Sequence, residues 1–213
     1  MVALSNADLA SRVNTERIIA ILRGTDVDAT VKAAKTLFDS GIHILEVTLT
    51  LDGALEAIKQ ISSFAPSNAV LGAGTVLSEE QVDQSLSAGA QFIVTPSMSA
   101  SVKYALKADI GTLAGVFSPT EIHTALEHGA AAVKLFPASS VGPGYLKAVL
   151  EPFPTARIIP VGGMTFESIP KYLGAGAFAI GVGGPLVGDA ATLGGDSEGL
   201  AERAAEFLKL VRR

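Results

Sequence analysis

Of the nine lysines in this 213-residue chain, eight stand in polar stretches of helical or loop character, and one does not. Lys134 interrupts the apolar run Ala130-Ala131-Ala132-Val133-Lys134-Leu135-Phe136-Pro137. An ammonium is costly there, because burial favours the neutral amine. The neutral amine is the form that attacks a ketone and condenses to a Schiff base. A structural lysine, paired to a carboxylate or with its head at solvent, is the other reading of the same position. A second apolar run, Ile42-His43-Ile44-Leu45-Glu46-Val47-Thr48-Leu49, carries Glu46. Carbinolamine dehydration, and proton transfer at the carbon beside an imine, both need an acid that later acts as a base. A glutamate that only neutralises Lys134 would occupy the same place.

Two glycine pairs complete the constellation, in Pro160-Val161-Gly162-Gly163 and Ile180-Gly181-Val182-Gly183-Gly184. Glycine lets backbone N–H groups approach an anion closely, so the pairs point to a phosphate site, although ordinary turns use such pairs too. Other chemistries find less support. Cysteine is absent, which excludes thiolate zinc sites, disulfide scaffolds and cysteine nucleophiles. His43, His123 and His128 form no metal-binding pair, and Ser139-Ser140 lacks the context of a nucleophile elbow. Metal-dependent chemistry thus has no obvious ligand set, and no glycine-rich fingerprint suggests a nucleotide.

These residues need elements to hold them. Short apolar runs at Ile18–Leu22, Ile42–Leu49, Val70–Gly74, Phe92–Thr95, Thr112–Val116, Ala131–Phe136, Ile158–Val161 and Phe178–Val182 read as strands. They are apolar throughout rather than alternating, so both faces are buried and the sheet is parallel. Between them lie helical patterns at Asp28–Ser40, Leu51–Phe64, Ser78–Ala88, Ser99–Lys107, Pro119–His128 and Thr165–Leu173. Several open on Ser, Thr or Asp and close before Gly41, Gly89, Gly129 or Gly174. Eight such repeats predict a (β/α)₈ TIM barrel spanning residues 1–213 as one domain. An extra N-terminal helix over Asn6–Val13 would close its floor. The stretch Gly183–Gly199 reads as a long loop into a final helix, Leu200–Val211. An open doubly wound sheet is the alternative, but Leu22-Arg23-Gly24-Thr25 stands where its glycine fingerprint would open. In a barrel, strands two and six face each other across the interior, so Glu46 and Lys134 can meet. The glycine pairs fall after strands seven and eight, where barrels bind phosphate.

Charged residues make up 17% of the chain, below the usual quarter, and the net charge is −5. That balance argues against a nucleic-acid partner. No apolar run approaches membrane-spanning length, and Met1-Val2-Ala3-Leu4-Ser5-Asn6-Ala7-Asp8 lacks the features of a signal peptide. A cytoplasmic protein with a small-molecule substrate is expected.

Taken in order, Ile19-Ala20-Ile21-Leu22-Arg23-Gly24, Leu45-Glu46-Val47-Thr48-Leu49, Gly72-Ala73-Gly74-Thr75-Val76-Leu77, Phe92-Ile93-Val94-Thr95-Pro96 and Val133-Lys134-Leu135-Phe136-Pro137-Ala138 form a specific set. From about Ile18 to its end the chain resembles the class I 2-dehydro-3-deoxy-phosphogluconate aldolases. These are grouped with the 4-hydroxy-2-oxoglutarate and 2-dehydro-3-deoxy-phosphogalactonate aldolases. The resemblance implies that Lys134 is the Schiff-base lysine and Glu46 the acid/base. It implies that Thr75 helps hold the pyruvate carboxylate, that Pro96 and Phe136 wall the pyruvate pocket, and that Gly162, Gly163, Gly183 and Gly184 bind phosphate. Thr48 and Thr50 join the substrate-binding set on the strand-two motif. The family uses no metal or cofactor and commonly forms trimers, so a homotrimer is expected, in keeping with the low surface charge.

The chain also departs from the pattern. Many members carry an arginine for the pyruvate carboxylate where Thr50 stands, and Arg23 is the natural substitute, since a carboxylate suits a bidentate guanidinium. Many carry a serine where Gly184 stands. Val161 replaces the threonine of phosphogluconate-type members and matches phosphogalactonate-type ones. The expected reaction is cleavage of 2-dehydro-3-deoxy-6-phosphogluconate to pyruvate and glyceraldehyde 3-phosphate. The phosphogalactonate epimer and 4-hydroxy-2-oxoglutarate are rivals within the family. A phosphate-binding barrel isomerase or epimerase would have no use for a nucleophilic lysine. A non-catalytic sugar-phosphate-binding barrel would bind ligand without a covalent adduct.

Overall fold

Alternation along each strand separates two apolar clusters, and that separation defines the architecture. The computed structural model describes residues 2–212; Met1 and Arg213, the ends of the expected 1–213 span, lie outside the described residues. In chain order the elements are α1 (Asn6–Glu16), β1 (Ile18–Leu22), α2 (Val27–Asp39), β2 (Ile44–Thr48), α3 (Ala54–Phe64), β3 (Val70–Gly74) and α4 (Glu79–Ser87). Then come β4 (Phe92–Val94), α5 (Ala100–Lys107), β5 (Thr112–Val116), α6 (Pro119–Glu127), β6 (Ala132–Leu135), a 3₁₀ turn (Ala138–Ser140) and α7 (Gly142–Leu150). The chain continues through β7 (Ile158–Pro160), α8 (Ile169–Gly174), β8 (Ile180–Val182), α9 (Gly184–Val187) and α10 (Ser197–Val211).

All strands pair in parallel in the order β7-β6-β5-β4-β3-β2-β1-β8. A bridge between Val161 and Gly181, with the Phe178 N–H donating to the Ile158 carbonyl at 2.9 Å, brings β7 and β8 together and completes a (β/α)₈ barrel. Ile19, Ile21, Ile44, Val70, Phe92, Val94, Leu113, Ala132, Ile159 and Ala179 point inward to fill it. Their neighbours, such as Leu45, Val47, Val133 and Leu135, point outward under the helices. This two-sided burial is why the strands read as apolar throughout.

The floor is closed by α1. Its Leu9, Ala10 and Val13 join the interior cluster. Buried Asn6 accepts from the N–H groups of Thr112 and Ala131, both at 3.0 Å, and so ties the starts of β5 and β6 to the floor. Helix starts follow their caps. Ser118 and Glu121 form a capping box on α6, and the backbone N–H groups of Phe117 and Ser118 hold the Glu121 carboxyl below its usual range.

Besides shifts of one to three residues at the ends of several strands and helices, the structure differs from the sequence reading in three places. The region 183–199 is not one loop: Gly184–Val187 forms the short α9, and α10 starts three residues earlier than expected, at Ser197. The helix α7 has no counterpart in the sequence reading, because its opening Gly142-Pro143-Gly144 carries little helical propensity. The helix α8 begins at Ile169 rather than Thr165, because Thr165 and Ser168 bond each other in a preceding turn.

Candidate active site

Lys134 lies on β6, between Gly115 of β5 and Ile159 of β7 in register. Val133 and Leu135 face the helices, so alternation turns Lys134 inward. Glu46 on β2 is turned inward in the same way, between the outward Leu45 and Val47. The two meet across the barrel, with Lys134 Nζ 3.5 Å from Glu46 Oε1 and only 9% and 2% of the side chains exposed. Glu46 Oε1 has no hydrogen-bond donor among the described residues. The pair is therefore a buried contact of opposite charges that leaves hydrogen-bonding capacity free.

Missing side chains make this meeting possible. A Cβ on Gly74 would stand 2.9 Å from Glu46 Oε1, so β3 must be bare beside the carboxylate. A Cβ on Gly115 would collide with the backbone of Thr95, Pro96 and Ser97, which folds over β5 beside Lys134. Thr95 pins that turn: its buried hydroxyl donates to the Ser97 carbonyl at 2.8 Å and accepts from the Gly115 N–H at 3.0 Å. Sequence reasoning passed over Thr95, although a polar residue closing an apolar strand was the available signal.

The remaining expected site residues fall into two groups. Arg23, Phe136, Val161, Gly162, Gly163, Gly183 and Gly184 line one cavity of about 240 Å³ at the C-terminal ends of β1, β7 and β8. Ile21, Met164, Gly181 and Pro185 complete its wall and were not singled out beforehand. Phe136 links this cavity to the lysine, its ring centroid lying 5.6 Å from Nζ. Gly162 and Gly163 have φ of +94° and +73°, which only glycine adopts without strain, and a Cβ on Gly162 would press on the Phe136 ring at 3.3 Å. The other group sits at the ends of β2, β3 and β4 and does not line the cavity. Thr48 is buried and its hydroxyl bonds that of exposed Thr50 at 2.8 Å. Thr75 holds a left-handed φ of +60°, an unfavourable conformation for a β-branched residue. Pro96 stands in the turn over Gly115.

A larger groove of about 640 Å³, lined by Ser40, Ala205, Leu208, Lys209 and Arg212, lies on the outer helices and holds none of these groups. His123 pairs with Glu127 on the surface, and His128 bonds the Thr124 carbonyl of its own helix. No cluster of three His, Asp or Glu side chains fit to hold a metal occurs among the described residues.

Comparison with known proteins points the same way. The family model described as "KDPG and KHG aldolase" matches residues 9–200. The chain is 36% identical to the 2-dehydro-3-deoxy-6-phosphogalactonate aldolase of Escherichia coli (strain K12) over 92% of this chain and 94% of that one. It is 37% identical to the 2-dehydro-3-deoxy-phosphogluconate aldolase of Zymomonas mobilis, over 78% and 80% of the two chains. It also superposes on the crystal structure of KDPG aldolase from Legionella pneumophila, in which pyruvate is captured as a covalent carbinolamine intermediate. That match has a TM-score of 0.80 and 26% identity, over 95% and 96% of the chains.

Proposed function

The chain belongs to the KDPG and KHG aldolase family, and on that premise we propose that residues 1–213 form one barrel domain acting as a metal-independent, class I aldolase. Its substrate is 2-dehydro-3-deoxy-6-phosphogluconate, and its products are pyruvate and glyceraldehyde 3-phosphate. The observation that carries this reading is the 3.5 Å contact of Lys134 with Glu46 inside the barrel. Proton transfer from the ammonium to the carboxylate gives the neutral amine and the carboxylic acid, the two forms that the first step requires.

In this mechanism Lys134 Nζ attacks the C2 carbonyl, and Glu46, through a water, protonates the oxygen to give a carbinolamine. Loss of water leaves a protonated imine. Glu46, again a base, takes the proton of the C4 hydroxyl. The C3–C4 bond breaks with its electron pair flowing into the imine, which becomes an enamine, and C4 leaves as the aldehyde. The enamine is protonated at C3, and hydrolysis frees pyruvate and the amine. Pro96 and Phe136 wall the pyruvate unit, while Thr75 and the Thr48–Thr50 pair serve its carboxylate end. The N–H groups of Gly162, Gly163, Gly183 and Gly184 receive the phosphate. Arg23 lines the cavity with those glycines, so it serves the phosphate end of the substrate rather than replacing the arginine absent at Thr50.

We further propose that the enzyme is cytoplasmic, where a charged phosphoester substrate is retained, and that it forms a homotrimer; the 17% charged fraction fits a surface partly hidden between subunits. EDTA is expected to leave kcat/KM unchanged, since no ligand cluster for a divalent ion occurs among the described residues. Loss of activity that added metal restores would overturn the metal-independent reading.

Substrate choice turns on Val161. It lines the cavity where a threonine would offer a hydroxyl, and one such hydrogen bond is worth about 0.5–1.5 kcal/mol, or roughly a few-fold to tenfold in preference. Both C4 epimers are therefore expected to be cleaved, and Val161→Thr should shift the balance toward phosphogluconate. Measuring kcat/KM on both epimers and on 4-hydroxy-2-oxoglutarate tests the assignment. A preference for the unphosphorylated acid counts against the phosphate site, and discrimination beyond about 10³ between epimers shows that Val161 does not decide.

A further inference from the structure

We infer that Arg203, on α10 and outside the cavity, is the positioning residue that sets the phosphate end of the site. The inference rests on the phosphate reading above. The turn Gly183–Val187 supplies Gly183, Gly184 and Pro185 to the cavity wall. Its far end receives side-chain hydrogen bonds from α10: Arg203 Nε donates to the Leu186 carbonyl at 2.8 Å, and a terminal nitrogen donates to the Val187 carbonyl at 3.2 Å. The guanidinium is further fixed by Asp196 Oδ2 at 3.6 Å, and Gly188 is bare where a Cβ would stand 2.9 Å from it. Two donors from one planar group fix both position and orientation, which a single hydrogen bond does not.

The loop that Arg203 organises also touches the opposite wall. The Asp196 N–H donates to Asp189 Oδ1 at 3.1 Å, folding residues 189–196 back on themselves. The Ala191 carbonyl then accepts from the Thr25 N–H at 3.1 Å, two residues after Arg23. A Cβ on Gly24 would stand 2.8 Å from that same carbonyl. Arg203 thereby braces the glycine wall directly and the Arg23 wall through Ala191. It touches neither Lys134 nor Glu46. Its loss should loosen phosphate recognition and spare the chemistry of the pyruvate end.

Arg203→Met keeps the length and apolar packing of the side chain and removes both donors. With 2-dehydro-3-deoxy-6-phosphogluconate its KM is expected to rise about tenfold, the lower end of the scale for one lost charge-assisted hydrogen bond, with kcat within about threefold of wild type. With unphosphorylated 2-dehydro-3-deoxygluconate, kcat/KM should stay within about twofold, so that the preference for the phosphorylated acid falls about tenfold. Arg203→Lys, which retains the charge and one donor, should lie between, and it carries the test if the Met variant does not fold. A folded Arg203 variant that keeps the wild-type preference overturns the inference alone. Equal losses on both substrates also overturn it, because Arg203 then serves the fold as a whole. A wild-type enzyme with no preference for the phosphorylated acid overturns the phosphate reading, and the inference with it.

Discussion

Lys134→Met is expected to abolish cleavage, lowering kcat/KM by on the order of 10⁴ or more, as deletion of a covalent nucleophile does elsewhere. In the wild-type enzyme, borohydride with pyruvate should reduce the imine to a stable secondary amine on the peptide that contains Lys134, and activity should vanish in step. The variant should acquire no adduct. An adduct on Lys103 of α5 or Lys147 of α7, or activity retained in the variant, rules the mechanism out. Stability needs separate treatment, because removing one partner of a buried ion pair costs roughly 3–5 kcal/mol. Lys134→Met should therefore lower Tm as well. Lys134→Met combined with Glu46→Gln removes both charges and should recover much of the lost Tm without any recovery of activity. That combination separates the cost of an unpaired carboxylate from the loss of the nucleophile.

The parts of this molecule legible in its sequence are those fixed by burial on both faces. The strands β1, β3 and β5 begin and end at the expected residues, since each is a five-residue apolar run bounded by polar or turn-forming sequence. Lys134 and Glu46 were legible for the converse reason: a charge in such a run contradicts its surroundings and calls for a partner. Their meeting followed from barrel closure, which sets β2 and β6 on opposite arcs. Less legible was whatever depends on backbone carbonyls as partners. Arg203 reads as an ordinary residue of an amphipathic helix, because its acceptors, Leu186 and Val187, lie 17 and 16 residues upstream and any sequence could supply them. The short α9 was hidden in the same way. Its Gly184-Pro185 start resembles a loop, and it is held by the buried Leu186 and Val187 and by the arginine beyond it.

Glu46→Gln is expected to keep the fold at a lower Tm, because it too unpairs the buried contact, and to lower turnover by about 10² to 10⁴, the range for a lost general acid/base. Glutamine is nearly isosteric, so it fits the space that Gly74 leaves beside the carboxylate without displacing β3. The decisive measurement is exchange of the pyruvate methyl protons for deuterium, which needs only imine formation and reversible proton transfer at that carbon. If Glu46 carries the proton, exchange slows in parallel with cleavage. If Glu46 only balances the charge of Lys134, exchange keeps the wild-type rate once the imine has formed, and the proton carrier lies elsewhere. Borohydride trapping distinguishes these steps, because it reports the amount of imine whatever happens afterwards. A variant that traps pyruvate yet exchanges its protons slowly would assign to Glu46 the transfer itself rather than the preparation of the amine. The geometry favours that outcome: Glu46 Oε1 has no hydrogen-bond donor among the described residues and lies 3.5 Å from Lys134 Nζ, the nitrogen on which the imine is expected.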